Sequence, residues 1–268
     1  MVNDAIVLKQ VAFSYDRKRA VLKDLTLSIP KGKVVALMGG SGSGKTTVLR
    51  LMSALLPVDS GSVFVDGHDV QKMSGQTLRE LRSHCGFMFQ HGALFTDLSV
   101  FENVAFPIRE HAAHLPEDLI RSLVLMKLHA VGLRAAHGLM PSQLSGGMAR
   151  RVALARAIAL DPSFIFYDEP FTGLDPVSLG VTASLIRKLN DVLGATSVVV
   201  SHDVHETFAI ADYVYFLSQG GLVASGTPEE LMKSDHPYVR QFVDATENGP
   251  VPFHMKSHYS YAQDLELV

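Results

Sequence analysis

The sequence predicts an α/β domain with strands buried on both faces, interrupted partway by an all-helical lobe. Three observations predict it. Val34-Val35-Ala36-Leu37-Met38 and Phe164-Ile165-Phe166-Tyr167 are unbroken apolar runs, the pattern of strands covered on both sides. A glycine-rich loop joins the first run directly to a helical segment, and from about Ser99 to Leu160 the periodicity is helical throughout.

The opening reads as two strands, Ile6 to Tyr15 and Val21 to Ile29, with Asp16-Arg17-Lys18-Arg19 as a charged turn, giving an N-terminal antiparallel β-subdomain. Pro30-Lys31-Gly32 turns the chain into the first buried run. A helix follows from about Lys45 to Leu55, ending before Pro57. Ser62 to Val65 is a short strand, Thr77 to Ser83 a helix, and Gly86 to Phe89 a strand. Ala149 to Leu160 is rich in Ala, Leu and Arg, all strong helix formers. The alternation then resumes: a helix from about Pro176 to Leu193 separates the second buried run from the strand Ser197 to Val200. Tyr213 to Leu217 and Leu222 to Ala224 form a hairpin around Gln219-Gly220-Gly221. Thr227-Pro228-Glu229-Glu230 starts a helix, with Pro at the first helical position. Asn248-Gly249-Pro250-Val251-Pro252 breaks the pattern, so the main domain is placed at 1–243 (helical lobe about 97–160) and an extension at 244–268.

Composition narrows the function. The 268 residues are 47% hydrophobic, enough for a substantial core. The net charge is only −3 and, beyond the short Arg17-Lys18-Arg19 turn, Lys and Arg do not cluster, which argues against nucleic acid as a partner. A single cysteine, Cys85, allows no internal disulfide and suits a reducing compartment. The start carries an early acid and no long apolar run, so no signal peptide is read there, and no run reaches the ~20 apolar residues of a membrane span. His111 and His114, as close in sequence as any two of the 12 histidines, lack the further ligands a metal centre needs.

The chemistry sits in three motifs. Gly39-Gly40-Ser41-Gly42-Ser43-Gly44-Lys45-Thr46, with Thr47 behind it, fits GxxxxGK[ST] between a buried strand and a helix. Glycines let successive N–H groups converge on an anion, and the helix N-terminus adds partial positive charge. Lys45 is placed to reach the terminal phosphates and Thr46 to ligate Mg²⁺. Asp168-Glu169 ends the second buried run: Asp168 is assigned to Mg²⁺ and Glu169 to polarising the attacking water. Leu144-Ser145-Gly146-Gly147-Met148 opens a helix and forms a second anion site. Two sites for one terminal phosphate suggest a head-to-tail pair, in which Ser145, Gly146 and Gly147 of one copy cap the ATP on the other copy's Lys45. Ser145 as a plain helix cap accounts for the serine but does not require the glycine pair.

With these motifs in order, the chain resembles the P-loop ATPases of ATP-binding cassette (ABC) transporters, whose signature is usually LSGGQ. The resemblance implies ATP and Mg²⁺ as cofactors and further roles. Gln90 would contact Mg²⁺ and the attacking water, Asp175 would communicate across the dimer, His202 would touch the γ-phosphate, and Tyr15 would stack on adenine. Met148 and Gly173 depart from the usual Gln and Ala; Met148 leaves the serine and backbone donors in place. The segment from His91 to Pro107, with LSGGMARR over 144–151 and Gly249 to Phe253, resembles the ATPase subunits of the Mla (maintenance of lipid asymmetry) phospholipid transporters. That implies a second copy of the chain, a transmembrane permease, an MCE-type lipid-binding subunit and a small STAS-domain protein as partners. It also implies attachment to the cytoplasmic face of an inner membrane through them. Phe253, Tyr259 and Tyr261 are costly to leave in water, and the extension is expected to pack on the neighbouring copy. The alternatives are a motor for importing amino acids or another small solute, told apart by its co-purifying receptor, and a soluble ABC protein acting on ribosomes or DNA, which usually has two cassettes or a coiled-coil insertion. A small-molecule P-loop kinase would have no use for the serine–glycine turn.

Overall fold

The structure is a computed structural model and describes residues 4–16, 19–90 and 92–251. Strands β1 (Asp4–Phe13) and β2 (Leu22–Pro30) pair antiparallel, and β3 (Val34–Met38) follows as a strand without an exposed residue. Helix α1 (Lys45–Met52) leaves the glycine loop. Strands β4 (Ser60–Val65) and β5 (His68–Asp69) complete a four-stranded sheet in the order β2-β1-β4-β5. Next come α2 (Gly75–Ser83) and β6 (Cys85–Met88).

The helical lobe is α3 (Val100–His111), α4 (Glu117–Ala130) and α5 (Gly146–Ala157). The expectation of helix throughout 99–160 is thus corrected: irregular chain with short 3₁₀ turns separates these helices. The first helix of the fold also ends three residues early, at Met52, where Ala54 turns left-handed. The last lobe helix begins at Gly146 rather than Ala149, because Ser145 caps it by accepting from the Met148 N–H.

Then come β7 (Phe164–Asp168), α6 (Pro176–Leu193), β8 (Thr196–Val200), α7 (Val204–Ile210), β9 (Tyr213–Ser218), β10 (Gly221–Gly226), α8 (Pro228–Met232) and α9 (Pro237–Val243). Thr227 caps α8 in a capping box with Glu230. The second sheet runs β10-β9-β3-β8-β7-β6, parallel except for the β9–β10 hairpin.

Alternation along the strands assigns the faces. Val34, Ile165, Tyr167 and Val199 join the lobe helices and α6 in one core. Val35, Leu37, Phe166, Val198 and Val200 point the other way, into a core shared with α1 and the antiparallel sheet. Met38, Val214 and Phe216 pack under α8 and α9 in a third cluster. The nearly buried Lys127 of α4 pairs with Asp161, tying the lobe to the chain entering β7.

Within the described residues, no helix is long and apolar enough to cross a membrane. Phe253, Tyr259 and Tyr261 lie outside the described residues, as does His91.

Candidate nucleotide site

Parallel strands present their carboxyl ends on one edge, and the predicted groups gather there. Gly39 follows β3, Gln90 follows β6, Asp168 and Glu169 end β7, and His202 follows β8. Strand β8 lies between β3 and β7, so the loop and the acidic pair are two strands apart. Together these groups form a cleft of about 1340 Å³ lined by Tyr15, the loop from Gly39 to Thr47, Gln90, Glu169 and His202.

The loop needs its glycines. Gly39 has φ 138, and a Cβ there would lie 2.1 Å from the Leu217 carbonyl oxygen. Gly44 is left-handed at φ 100 and caps α1. Its carbonyl accepts the first helical N–H, from Val48, so the N–H groups of Lys45, Thr46 and Thr47 precede the ladder and face the cleft end of the helix. Lys45 is 8% exposed, and its ammonium donates to the carbonyls of Gly39 (2.8 Å) and Gly40 (3.0 Å). Burial draws its pKa below the usual lysine value, and the carboxylates of Glu169 and Asp168 push it back up.

Thr46 Oγ1 donates to Asp168 at 2.9 Å, so a hydroxyl and a carboxylate meet at the foot of the loop. With the Gln90 side chain on the same cleft, this is an all-oxygen donor set that suits a hard cation such as Mg²⁺. Glu169 turns left-handed at φ 50 while its N–H bonds the Val200 carbonyl, which re-aims its side chain across the end of β8. There its Oε2 lies 2.8 Å from His202 Nδ1 and accepts from Thr172 Oγ1 at 3.3 Å. Tyr15 is 57% exposed, its ring edge-on to Phe13 and its hydroxyl 3.1 Å from Thr47 Oγ1. Tyr15 thus lines the cleft with more than half of its surface exposed.

Ser145, Gly146, Gly147 and Asp175 do not line this cleft within one copy. Ser145 and Gly146 are exposed, and a Cβ on Gly146 would meet nothing within 4 Å. Asp175 caps α6, accepting from the N–H groups of Val177 and Ser178; the Ser178 side chain first, then these N–H groups, hold its carboxyl below the usual value.

Gly147 has a reason the sequence did not reveal. A Cβ there would sit 2.4 Å from Ser178 Oγ, so the second signature glycine lets α5 pack against α6. Gly147→Ala is therefore expected to cost about 1–3 kcal/mol in urea unfolding, most of it recovered by adding Ser178→Gly.

Sequence reasoning also missed Thr172, Tyr238, Pro250 and Val251, all of which line the cleft. Thr172 could have been found from its place three residues after Glu169; the others follow no motif. A second, apolar groove of about 400 Å³ lies beyond β6, lined in part by Phe89, Phe95, Phe106 and Pro107. Buried Asn103 shapes it, donating to the carbonyls of Phe95, Leu98 and Ser99 and accepting from the Phe95 N–H.

Fold and cleft together define a P-loop nucleotide-binding protein with an inserted helical lobe. Comparison with known proteins narrows this. The ABC transporter family profile matches residues 22–172. The chain is 53% identical to the intermembrane phospholipid transport system ATP-binding protein MlaF of Haemophilus influenzae, over 94% of this chain and 95% of that one. It is 49% identical to MlaF of Escherichia coli, over 94% and 93%. Among solved structures, the dimeric ATP-binding cassette MJ0796 bound to ADP and Pi superposes with TM-score 0.76 at 31% identity, over 83% of this chain and 98% of that one. The cbiO1 subunit of the cbiONQ ABC transporter complex of Clostridium perfringens gives 0.80 at 28%, over 87% and 92%. The chain belongs to the ABC transporter family, as an ATP-hydrolysing cassette of the branch that contains these MlaF proteins.

Proposed function

We propose that the chain powers phospholipid transport between the two membranes of a bacterial envelope, working as a pair of copies on a permease at the cytoplasmic face of the inner membrane. The observation that carries this is the identity to MlaF proteins along nearly the whole chain, with the nucleotide cleft intact. An MCE-type lipid-binding subunit and a small STAS-domain protein complete the assembly.

Lys45 and the N–H groups at the start of α1 bind the phosphates, and Tyr15 stacks on the adenine. Thr46, Asp168 and Gln90 would hold Mg²⁺, which when bound neutralises phosphate charge. Glu169 accepts a proton from the attacking water, and His202, fixed by the same carboxylate, is directed at the terminal phosphate. Ser145, Gly146 and Gly147 of the other copy close the site, and the Asp175 turns meet across the pair. The apolar groove receives the permease: Phe89, Phe95 and Phe106 are each more than 40% exposed around it.

Co-expression with the membrane subunits tests the proposal. The wild-type chain should co-purify with a permease and an MCE-type protein, and Phe106→Asp should lose the permease while still binding ATP. Recovery of a soluble solute-binding receptor instead would reject phospholipid transport.

A further inference from the structure

Helix α9, the last among the described residues, reaches the phosphate loop through Tyr238. Tyr238 is 4% exposed, its ring edge-on to Phe216 of β9 and tilted against Phe242. Its hydroxyl makes two hydrogen bonds in series, donating to the Leu217 carbonyl (3.0 Å) and accepting from the Gly40 N–H (3.2 Å). That carbonyl is the one against which Gly39 is packed so closely that a Cβ could not fit. The end of strand β9, the tyrosine hydroxyl and the entrance turn of the loop are thus one hydrogen-bonded unit. The side-chain bonds that otherwise hold this turn come from Lys45, whose ammonium is also needed by the phosphates. Gly40 N–H, by contrast, opens the loop, five residues before the first of the N–H groups at the head of α1.

A second contact from the same helix reinforces the first. Gln241, one turn further along α9, clamps Val251 by both backbone groups: its Oε1 accepts from the Val251 N–H (2.8 Å) and its Nε2 donates to the Val251 carbonyl (3.0 Å). This sets the Val251 side chain over Gly40, with Cγ1 4.0 Å from where a Cβ would stand.

We propose that Tyr238 is a positioning residue for nucleotide binding, its hydroxyl bridging Leu217 and Gly40 so that the entrance turn of the phosphate loop is in place before ATP arrives. The assignment rests on reading the cleft as the ATP site. A preset loop lowers the ordering cost of binding, so the hydroxyl acts on affinity and not on the chemical step.

Tyr238→Phe keeps the ring packing and removes only the bridge. In the purified full-length chain, affinity for a fluorescent ATP analogue should weaken about 3–10-fold, the range for one lost hydrogen bond, with KM for ATP rising in parallel. The kcat at saturating ATP should stay within about twofold. Val239→Ala is the control: it removes a buried side chain on the same helix without touching the loop, and should lower the melting temperature while leaving KM unchanged. Unchanged affinity in Tyr238→Phe, a fall in kcat alone, or an equal rise of KM in Val239→Ala would each overturn the assignment. Binding of the analogue by Lys45→Ala as tightly as by wild type would instead overturn the reading of the cleft.

Discussion

Glu169→Gln is expected to slow ATP hydrolysis about 10²–10⁴-fold while leaving ATP bound, because the amide matches the carboxylate in shape but cannot take a proton. Thr172 Oγ1 still has an oxygen to donate to, so the left-handed turn at Glu169 should persist and the cleft should keep its form. Nucleotide-loaded pairs should then accumulate and be seen by size-exclusion chromatography with ATP. The substitution also removes the larger of the two carboxylate influences that raise the Lys45 pKa against burial. The sign follows: Lys45 is charged below its pKa, and the attraction for phosphate is lost as pH rises through it. The alkaline limb of ATP binding should therefore move to lower pH in Glu169→Gln than in wild type. Normal hydrolysis by this variant would place the base elsewhere.

Mixing two inactive chains should restore activity. Lys45→Ala removes the buried ammonium from the loop and should abolish ATP binding in its own site, yet its serine–glycine turn is intact. Gly146→Glu leaves the loop intact and puts a carboxylate where, in the proposed pair, the partner's terminal phosphate would lie; the fold tolerates it because a Cβ there meets open space. Each variant alone forms pairs with no complete site. In an equal mixture half the pairs carry one complete site of two, so hydrolysis should return to about a quarter of the wild-type rate if one site suffices in a symmetric pair. The measurement is phosphate release against mixing ratio. A mixture as inactive as its parts would mean that the turn does not act on the other copy's nucleotide.

Much of this architecture is legible in the sequence. Buried runs over 34–38 and 164–167 fall inside β3 and β7, and the helix read over 176–193 is α6 residue for residue. Helix ends were read less well where side-chain capping competes with periodicity: Ser145 starts α5 earlier than the Ala/Leu/Arg pattern does. The phosphate loop was readable because its function lies in consecutive backbone groups, and Thr46 with Asp168 because each ends a recognisable local element.

The remaining features depend on which strands became neighbours. The sequence alone determined a phosphate-binding loop, an acidic pair ending a buried strand and a serine–glycine helix start, since each is a local pattern of N–H groups or of continuous burial. Only the tertiary structure decided that β8 separates the first two, that Glu169 turns to meet His202 and Thr172, that Gly147 makes room for Ser178, and that Tyr238 fastens the loop. These contacts join residues up to 198 apart in the chain, and register and helix docking are set by the sum of core packing, which no short stretch of sequence contains.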